Sequence, residues 1–284
     1  MIHVVIPVHN RLNLTIECLS SLKKQKSVNN LNLIIVDDGS TDNTTEYLRE
    51  NFPNITILKG NGFLFWCGAI NFGIEYVLKI CNFNDWVLIA NNDVTFKNDA
   101  ILNLLNIAET NNRKALVSSL TLSGEDKKTV IKSGTVVENW FLNKTNHLYS
   151  GSNINDILNK NPQRVDFLTG RSVLHPIEIF LKAGNYDAKN FVHYGGDDEF
   201  SMRVKKFGFS TLICPSSIVY LNLNNSKNLK GNIVQKFFFT LFSIKSSSNI
   251  INKLKLTLKV VPYYAKLTFF IVAVIKSIYI FFKK

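Results

Sequence analysis

Leu33-Ile34-Ile35-Val36 runs straight into Asp37-Asp38-Gly39-Ser40-Thr41-Asp42, and Trp86-Val87-Leu88-Ile89-Ala90 runs straight into Asn91-Asn92-Asp93. Continuous apolar runs that stop at polar turns read as strands buried on both faces, the pattern of a parallel sheet covered by helices. In such sheets ligands bind at the carboxyl ends of the strands. Two acid-bearing turns brought to that edge by strand-helix units therefore converge on one ligand. Clustered carboxylates suit a divalent cation or a polyhydroxyl group, and a nucleotide diphosphate held through a metal ion meets both demands.

Outward from these two turns the chain alternates. Ile2 to Ile6 reads as a first strand, Pro7-Val8-His9-Asn10-Arg11 as its turn, and Leu12 to Lys24 as a helix with Leu14, Cys18, Leu19 and Leu22 at helical spacing. Asn32 to Val36 is a second strand, and Ser40-Thr41-Asp42 reads as the cap of a helix from Thr44 to Asn51. Ile55 to Leu58, the turn Gly60-Asn61-Gly62, a helix ending near Ile80 and the strand Trp86 to Ala90 follow. This is the rhythm of βαβ units.

The middle is less regular. Ala115 to Leu122 and Thr129 to Val137 read as strands, Asn139 to Pro162 as a polar loop, and Val165 to Pro176 as strand broken by a glycine turn. Ile177 to Ala183 is a short helix closed by Gly184, Tyr194-Gly195-Gly196-Asp197 opens a helix that runs to Lys206, and Ser210 to Cys214 is a last strand. The expected class is α/β, with a Rossmann-like, mostly parallel sheet flanked by helices.

A net charge of +12 suggests a nucleic-acid partner until it is located. The chain has no Asp or Glu after Glu199, and 14 Lys and Arg follow it; residues 1–199 hold 19 basic and 21 acidic side chains, a net charge of −2. The basic part is also the apolar part, which excludes nucleic acid and favours an anionic membrane surface. From Gly231 the chain reads helical, divided at Pro262, and Leu267 to Ile275 is uncharged. A bilayer span needs about twenty apolar residues and would bury Lys276. Helices lying on the membrane face are the favoured reading, with a true span and a docked subdomain the alternatives. Two units are expected, 1–220 and a basic helical extension 221–284. Four cysteines without C-x-x-C spacing and a start directly in a strand point to a reduced, cytoplasmic protein, peripheral on the inner face of the cell membrane.

Ile6-Pro7-Val8-His9-Asn10-Arg11, Val36-Asp37-Asp38-Gly39-Ser40-Thr41-Asp42, Asn91-Asn92-Asp93 and Gly196-Asp197-Asp198-Glu199-Phe200-Ser201-Met202-Arg203, in this order, resemble the family-2 glycosyltransferases of the GT-A fold, in the bacterial rhamnosyltransferase-like branch. The resemblance covers approximately residues 1 to 220. It implies that Pro7, Asn10 and Arg11 line a nucleotide pocket and that Asp38 contacts base or ribose, which a carboxylate at a strand end does by accepting hydrogen bonds. Asp42 is either a ligand contact or a helix cap.

Asn91-Asn92-Asp93 stands where that family carries a metal-binding D-x-D. Only Asp93 is charged, so it is the expected ligand of Mg2+ or Mn2+, with Asn91 and Asn92 better placed for sugar or turn hydrogen bonds. Gly62, Trp66 and Asn71 resemble the segment that passes the donor, with Trp66 either stacking on a sugar or filling core. The resemblance also implies a base that takes the acceptor proton at this helix start, and the family's pattern counted back from Arg203 puts Asp197 in that position, with Asp198 one step out of register. The bland reading is that these acids only complement a helix N-terminus. Gly170 and Arg171 are acceptor-side candidates.

The implied activity is inverting transfer of a sugar from a nucleotide diphosphate donor, dTDP-rhamnose or a UDP-sugar, to a saccharide or lipid-linked acceptor in bacterial surface polysaccharide synthesis. The competing reading is a membrane-associated protein that binds nucleotide sugar or glycan without turnover.

Overall fold

Strand β1 (Ile2–Val8) is the axis of the main sheet, with Val4, Val5 and Ile6 wholly buried. The computed structural model describes residues 1–26, 30–222 and 232–283. After β1 come α1 (Leu12–Lys23), β2 (Leu31–Asp37), α2 (Thr44–Asn51), β3 (Thr56–Lys59), α3 (Phe65–Ile80) and β4 (Trp86–Ala90). Then follow β5 (Val94–Phe96), α4 (Ala100–Thr110), β6 (Ala115–Ser123), β7 (Gly134–Asn139), β8 (Lys144–His147), β9 (Gln163–Arg164), β10 (Phe167–Leu168) and β11 (Ser172–Pro176). The chain continues with α5 (Ile177–Ala183), α6 (Gly196–Lys205), β12 (Ser210–Leu221), α7 (Ile233–Phe242), α8 (Ile250–Val260) and α9 (Lys266–Lys283).

The sheet order is β3-β2-β1-β4-β11-β6-β12-β5, with β9 added beside β12, and a separate antiparallel sheet runs β10-β7-β8. Strands β3, β2, β1 and β4 are parallel, β11 is antiparallel to both β4 and β6, and β12 is parallel to β6. The sheet is therefore α/β and mostly parallel, as the alternation predicts. Register sets the site: Val8 lies opposite Asp37, and Ser172 opposite Ala90. The turns leaving β1, β2 and β4, and the turn entering the antiparallel β11, all emerge at one edge.

Alternation along β1 divides the core. Ile2, Val4 and Ile6 join Cys18, Leu19, Leu22, Ile101 and Leu104 on the face covered by α1 and α4. Val5 joins Ile70, Ile74, Val77 and Phe200 on the face covered by α3 and α6. Each such aliphatic side chain contributes about 1.5–3 kcal/mol on burial. A Cβ at Gly73 would meet Val5, so the missing side chain lets α3 approach the sheet.

Several elements differ from expectation. The last strand continues to Leu221 because a bulge between Cys214 and Ile218 takes Pro215 out of the ladder, where its missing N–H costs nothing. Thr129 to Ile131 makes only isolated bridges, and the strand is confined to Gly134–Asn139. Asn139 to Pro162 is not a plain loop: β8 pairs with β7 from Thr135↔His147 to Asn139↔Lys144. Its sequence Lys-Thr-Asn-His has no apolar alternation, so pattern reading passes over it. Asp42 does not cap α2; it accepts the N–H of Leu12 at 3.0 Å and the hydroxyl of Thr44, tying the start of α1 to the start of α2. The helical start expected at Gly231 lies outside the described residues.

The C-terminal helices dock on the sheet domain. Leu256 of α8 packs near Cys67 and Phe191, and Trp140 at the β7–β8 turn meets Phe269 of α9 with ring centroids 5.9 Å apart. Lys259 pairs with Asp187 at 2.6 Å, and Lys255 donates to the Asn190 carbonyl at 3.1 Å. On α9, Phe269, Ala273 and Ser277 face inward while Leu267, Ile271, Ile275 and Tyr279 are exposed. Both sets follow the four-residue repeat of one helix face.

Candidate active site

The site begins where β1 ends. Asn10 and Arg11 both adopt left-handed backbone, at φ 61° and 65°, a conformation that costs non-glycine residues energy and gathers at functional sites. The Asn10 N–H donates to Ser40 Oγ at 2.8 Å, and its side-chain oxygen accepts the Thr41 N–H at 2.8 Å. The loops after β1 and β2 are thereby locked together. Pro7 sits half-buried in β1 opposite Val36. Arg11 reaches across the edge to Asp93, with Nη1 3.5 Å from Oδ2.

Asp37 and Asp38 divide the labour at the end of β2. Asp37 is internal, accepting the Ser40 N–H at 2.9 Å and the Thr45 hydroxyl. Asp38 accepts the Gly62 N–H at 2.7 Å and the Phe65 N–H at 3.0 Å. Its carboxylate therefore organises the Gly60-Asn61-Gly62 turn against the N-terminus of α3, and its remaining lone pairs are what a ligand can use. Gly62, at φ 85° with open space where a Cβ would stand, keeps that turn accessible.

Trp66 joins the two halves of the edge. Its indole N–H donates to Asn91 Oδ1 at 2.8 Å, its ring stands edge-on to Tyr186 with centroids 5.5 Å apart, and a Cβ at Gly170 would run into it. Asn91 in turn donates its backbone N–H to the Arg171 carbonyl at 3.1 Å. Two expected residues are turned elsewhere. The Asn92 amide donates to buried Thr15 at 3.0 Å, and both amide atoms of Asn71 bond to the Tyr186 backbone, at 2.8 and 3.0 Å. Asn71 is a strut across the fold, and Asn92 fills the interface with α1.

Asp93 has one oxygen buried without a hydrogen-bond partner, while the other faces Arg11. Burial raises its carboxyl, against the opposing charges of Arg11 and Arg171. Among the described residues no group of three or more His, Cys, Asp or Glu side chains comes together to cage a metal. The orphaned oxygen fits a cation that takes one carboxylate here and completes its shell from diphosphate and water oxygens.

Arg171 lies in the fields of both Asp93 and Asp197, and burial draws its guanidinium below its ordinary range. Asp197 accepts the Gly170 N–H at 3.3 Å and the Asp198 N–H at 3.0 Å. It opens α6 immediately after Gly195, at φ 90°, and Gly196, where a Cβ would strike the Cys67 sulfur. Burial raises the Asp197 carboxyl; burial and the Asp197 charge push Asp198 up to about 7. Glu199 is spent on Arg203, at 2.9 Å, which itself clamps the Ala183 and Asn185 carbonyls. His175 is wholly internal, bonded to the Val173 carbonyl and the Tyr186 hydroxyl, and burial lowers it to about 4.

Asp38, Asp93, Arg171 and Asp197 are thus linked by direct contacts through the α3 N-terminus, Trp66, Asn91 and Gly170. Sequence reading missed Lys132, whose charge acts on both Asp197 and Asp198. It lies in the stretch read as strand from Thr129, which the structure makes a connection before β7, and its sequence carries no signal of that placement.

Comparison with known proteins agrees with this architecture. N-acetylglucosaminyl-diphospho-decaprenol L-rhamnosyltransferase from two strains of Mycobacterium tuberculosis is 24% identical over 206 residues, covering 66% of this chain and 66% of the relative. The crystal structure of GalNAc-T7 with UDP, GalNAc and Mn2+ superposes with a TM-score of 0.63 at 13% identity, over 95% of this chain and 53% of that one. A mannosyltransferase from Pyrobaculum calidifontis in complex with GDP-Man and Mn2+ gives 0.57 at 13% identity, over 98% and 73%. These low identities bear on the fold alone, and it is the GT-A fold. The glycosyl transferase family 2 model matches residues 3–165, more than half of the chain, and the protein belongs to that family.

Proposed function

We propose that the protein is an inverting glycosyltransferase that moves a sugar from a nucleotide diphosphate donor to a saccharide or lipid-linked acceptor. The observation that carries this reading is the Gly170-Arg171 turn, whose Arg171 carbonyl accepts the Asn91 N–H two residues before Asp93 and whose Gly170 N–H donates to Asp197, which gives one edge a diphosphate side and a base side. Asp38, Asn10, Arg11 and the Gly62 turn receive the nucleotide, while Asn91 and Trp66 bound the donor sugar. Asp93 would hold Mg2+ or Mn2+, which would supply positive charge to neutralise the diphosphate. Asp197 is the base: ionised, it takes the acceptor hydroxyl proton as that oxygen attacks the anomeric carbon. Its raised carboxyl suits the task, because a base poised closer to neutrality both accepts and releases the proton. Asp198 stands beside it, and the Lys132 charge favours the ionised form of both.

The mycobacterial relative is named for a diphospho-decaprenol acceptor and L-rhamnose, which supports a lipid-linked acceptor and dTDP-rhamnose as the first donor to test. Surface polysaccharide synthesis at the inner face of the cell membrane follows from that chemistry, with residues 1–220 as the transferase and 221–284 as a membrane-associating extension. Ile251, Leu254 and Leu258 of α8 and Phe141 and Leu142 of the hairpin tip are exposed, as is the apolar outward stripe of α9. A bilayer with anionic lipid is its occupant, since no acid follows Glu199 and each lysine near such a surface contributes about 1 kcal/mol. Tyr263 to Phe282 is long and apolar enough to cross a membrane by composition, but its inward face is packed on the domain.

Release of free nucleotide diphosphate from a panel of nucleotide sugars, with and without Mn2+, tests the reading. Turnover of one donor is expected, and Asp93→Ala should abolish the metal dependence of nucleotide binding. Donor binding with no hydrolysis across the panel makes the protein a nucleotide-sugar binder instead.

A further inference from the structure

Asp197 stands near the head of α6, and the chain that delivers it there has no regular structure of its own. Between Ala183, the end of α5, and Gly196, the start of α6, the chain forms neither helix nor strand. Without a ladder, such a segment takes its course from the groups packed against it. Its near half is gripped by the sheet domain: Arg203 clamps the Ala183 and Asn185 carbonyls, and Asn71 bonds to the Tyr186 backbone. Its far half leans on α8, beside one backbone bond from the Cys67 N–H of α3 to the Val192 carbonyl at 3.2 Å.

The hold of α8 has three parts. The Lys259 ammonium meets Asp187 Oδ2 at 2.6 Å, and Asp187 in turn accepts the Asn190 N–H at 3.2 Å and the Asn190 side-chain amide at 2.9 Å. One turn back along α8, Lys255 donates to the Asn190 carbonyl at 3.1 Å. Leu256, between them in sequence, packs with Phe191 and Cys67. Phe191 is wholly buried and passes the contact on: a Cβ built on Gly195 would stand 3.0 Å from its ring, and one built on Gly196 would stand 3.6 Å from its Cβ. The glycine turn is thus seated on Phe191 with no side chain between them, and Asp197 follows directly. Helix α8 also lies against α6 itself.

We infer that α8 positions the base: Lys255, Leu256 and Lys259, acting through Asn190 and Phe191, set where the Asp197 carboxylate stands. The inference rests on the transferase reading and adds to that site three residues that touch neither donor nor acceptor. A base must lie within hydrogen-bond reach of the hydroxyl it serves, and a misplacement of about 1 Å costs about 10²-fold in rate. The donor side, at Asn10, Asp38 and Asp93, stands on the turns after β1, β2 and β4, so its binding is independent of α8.

The test uses the full chain in steady-state donor turnover, with hydrogen exchange read by mass spectrometry. Lys255→Ala/Lys259→Ala should lower kcat at least about tenfold and leave donor KM within about twofold of the parent. The Lys259–Asp187 pair reaches solvent, where an ion pair adds little to global stability, so the melting temperature should match the parent. Lys259→Arg should retain kcat, and Lys182→Ala, which removes an equally short pair with Glu178 on α5, should change nothing. Exchange in the peptide 191–198 of the double variant should quicken at least about tenfold, with β1 unchanged. Leu256→Ala should repeat both effects and Leu256→Met, of similar volume, should restore them; if Leu256→Ala fails to fold, the lysine variants decide. Parental kcat with parental exchange in the double variant overturns the inference. So does a fall in kcat matched by a rise in donor KM or a lower melting temperature, which would make α8 a general support of the fold. If the parent turns over no donor the transferase reading falls, and exchange at 191–198 alone decides whether α8 holds the turn.

Discussion

Asp197 and Asp198 are adjacent in sequence yet held differently. Asp197 is fixed by two backbone N–H groups, and Asp198 has no side-chain hydrogen bond among the described residues. Asp197→Asn should lower kcat by about 10²–10⁴-fold with donor KM unchanged, the scale of a lost general base, in steady-state transfer assays. The base acts ionised and its carboxyl is raised, so the acid limb of kcat/KM should lie above the ordinary aspartate value of about 3.9. For Asp198 the folded value is the higher one. Its contribution to stability is therefore complete below about 3.9 and is lost as pH rises through about 7. Asp198→Asn should accordingly stabilise the fold at pH 8 by about 1–3 kcal/mol, with little gain near pH 4, in parallel urea titrations.

The same residues show what the sequence could and could not convey. The positions of Asp38 and Asp93 are legible because strand ends announce themselves by polarity change, and that of Asp197 because the motif running to Arg203 marks a helix start. That Asn71 and Asn92 turn inward was not, because amides look alike whether they meet a ligand, Thr15 or the backbone of Tyr186. The role of Lys132 depends on long-range placement that no window of sequence contains.

At the scale of elements, β1, α1, β2, α2, α3, β4 and α5 follow from apolar periodicity within a residue or two. Sequence reading passes over β5 and α4 and starts a strand too early at Thr129, and two failures turn on pairing: β8, a polar edge strand, and the far half of β12, hidden behind Pro215 until the bulge is seen. Both form because a partner strand supplies hydrogen bonds that sequence pattern does not record. The β7–β8 hairpin has a consequence for the C-terminal helices, since Trp140 and Phe141 meet Phe269 and Tyr264 at its tip. Leu267→Glu/Ile271→Glu, on the outward stripe of α9, should leave thermal stability within about 0.5 kcal/mol of the parent, as surface changes do. The same variant should lose most binding to vesicles containing anionic lipid in sedimentation assays. Retained binding would assign the stripe to something other than lipid.

For the whole molecule, charge is segregated: a net −2 through Glu199 and only positive side chains beyond it. Such an asymmetry orients the protein as it nears a negative surface and weakens as salt shortens the screening length from about 10 Å at 0.1 M to about 3 Å at 1 M. Vesicle association should therefore fall steeply between those salt concentrations, while the residual binding reports the apolar face. Association independent of salt would remove the electrostatic part of the argument.

Trp66 touches Asn91, Gly170 and Tyr186 at the centre of the edge, Trp140 rests between Phe167 and Phe269, and Trp86 is sealed beneath Arg113 at 4.0 Å. The protein consequently carries three intrinsic fluorophores at three different stations. Occupancy of the cleft should perturb the emission of the first, partition onto a bilayer that of the second, and neither that of the third. Single-tryptophan variants thus turn the spectrum into a readout that separates ligand capture from lipid contact without any attached label.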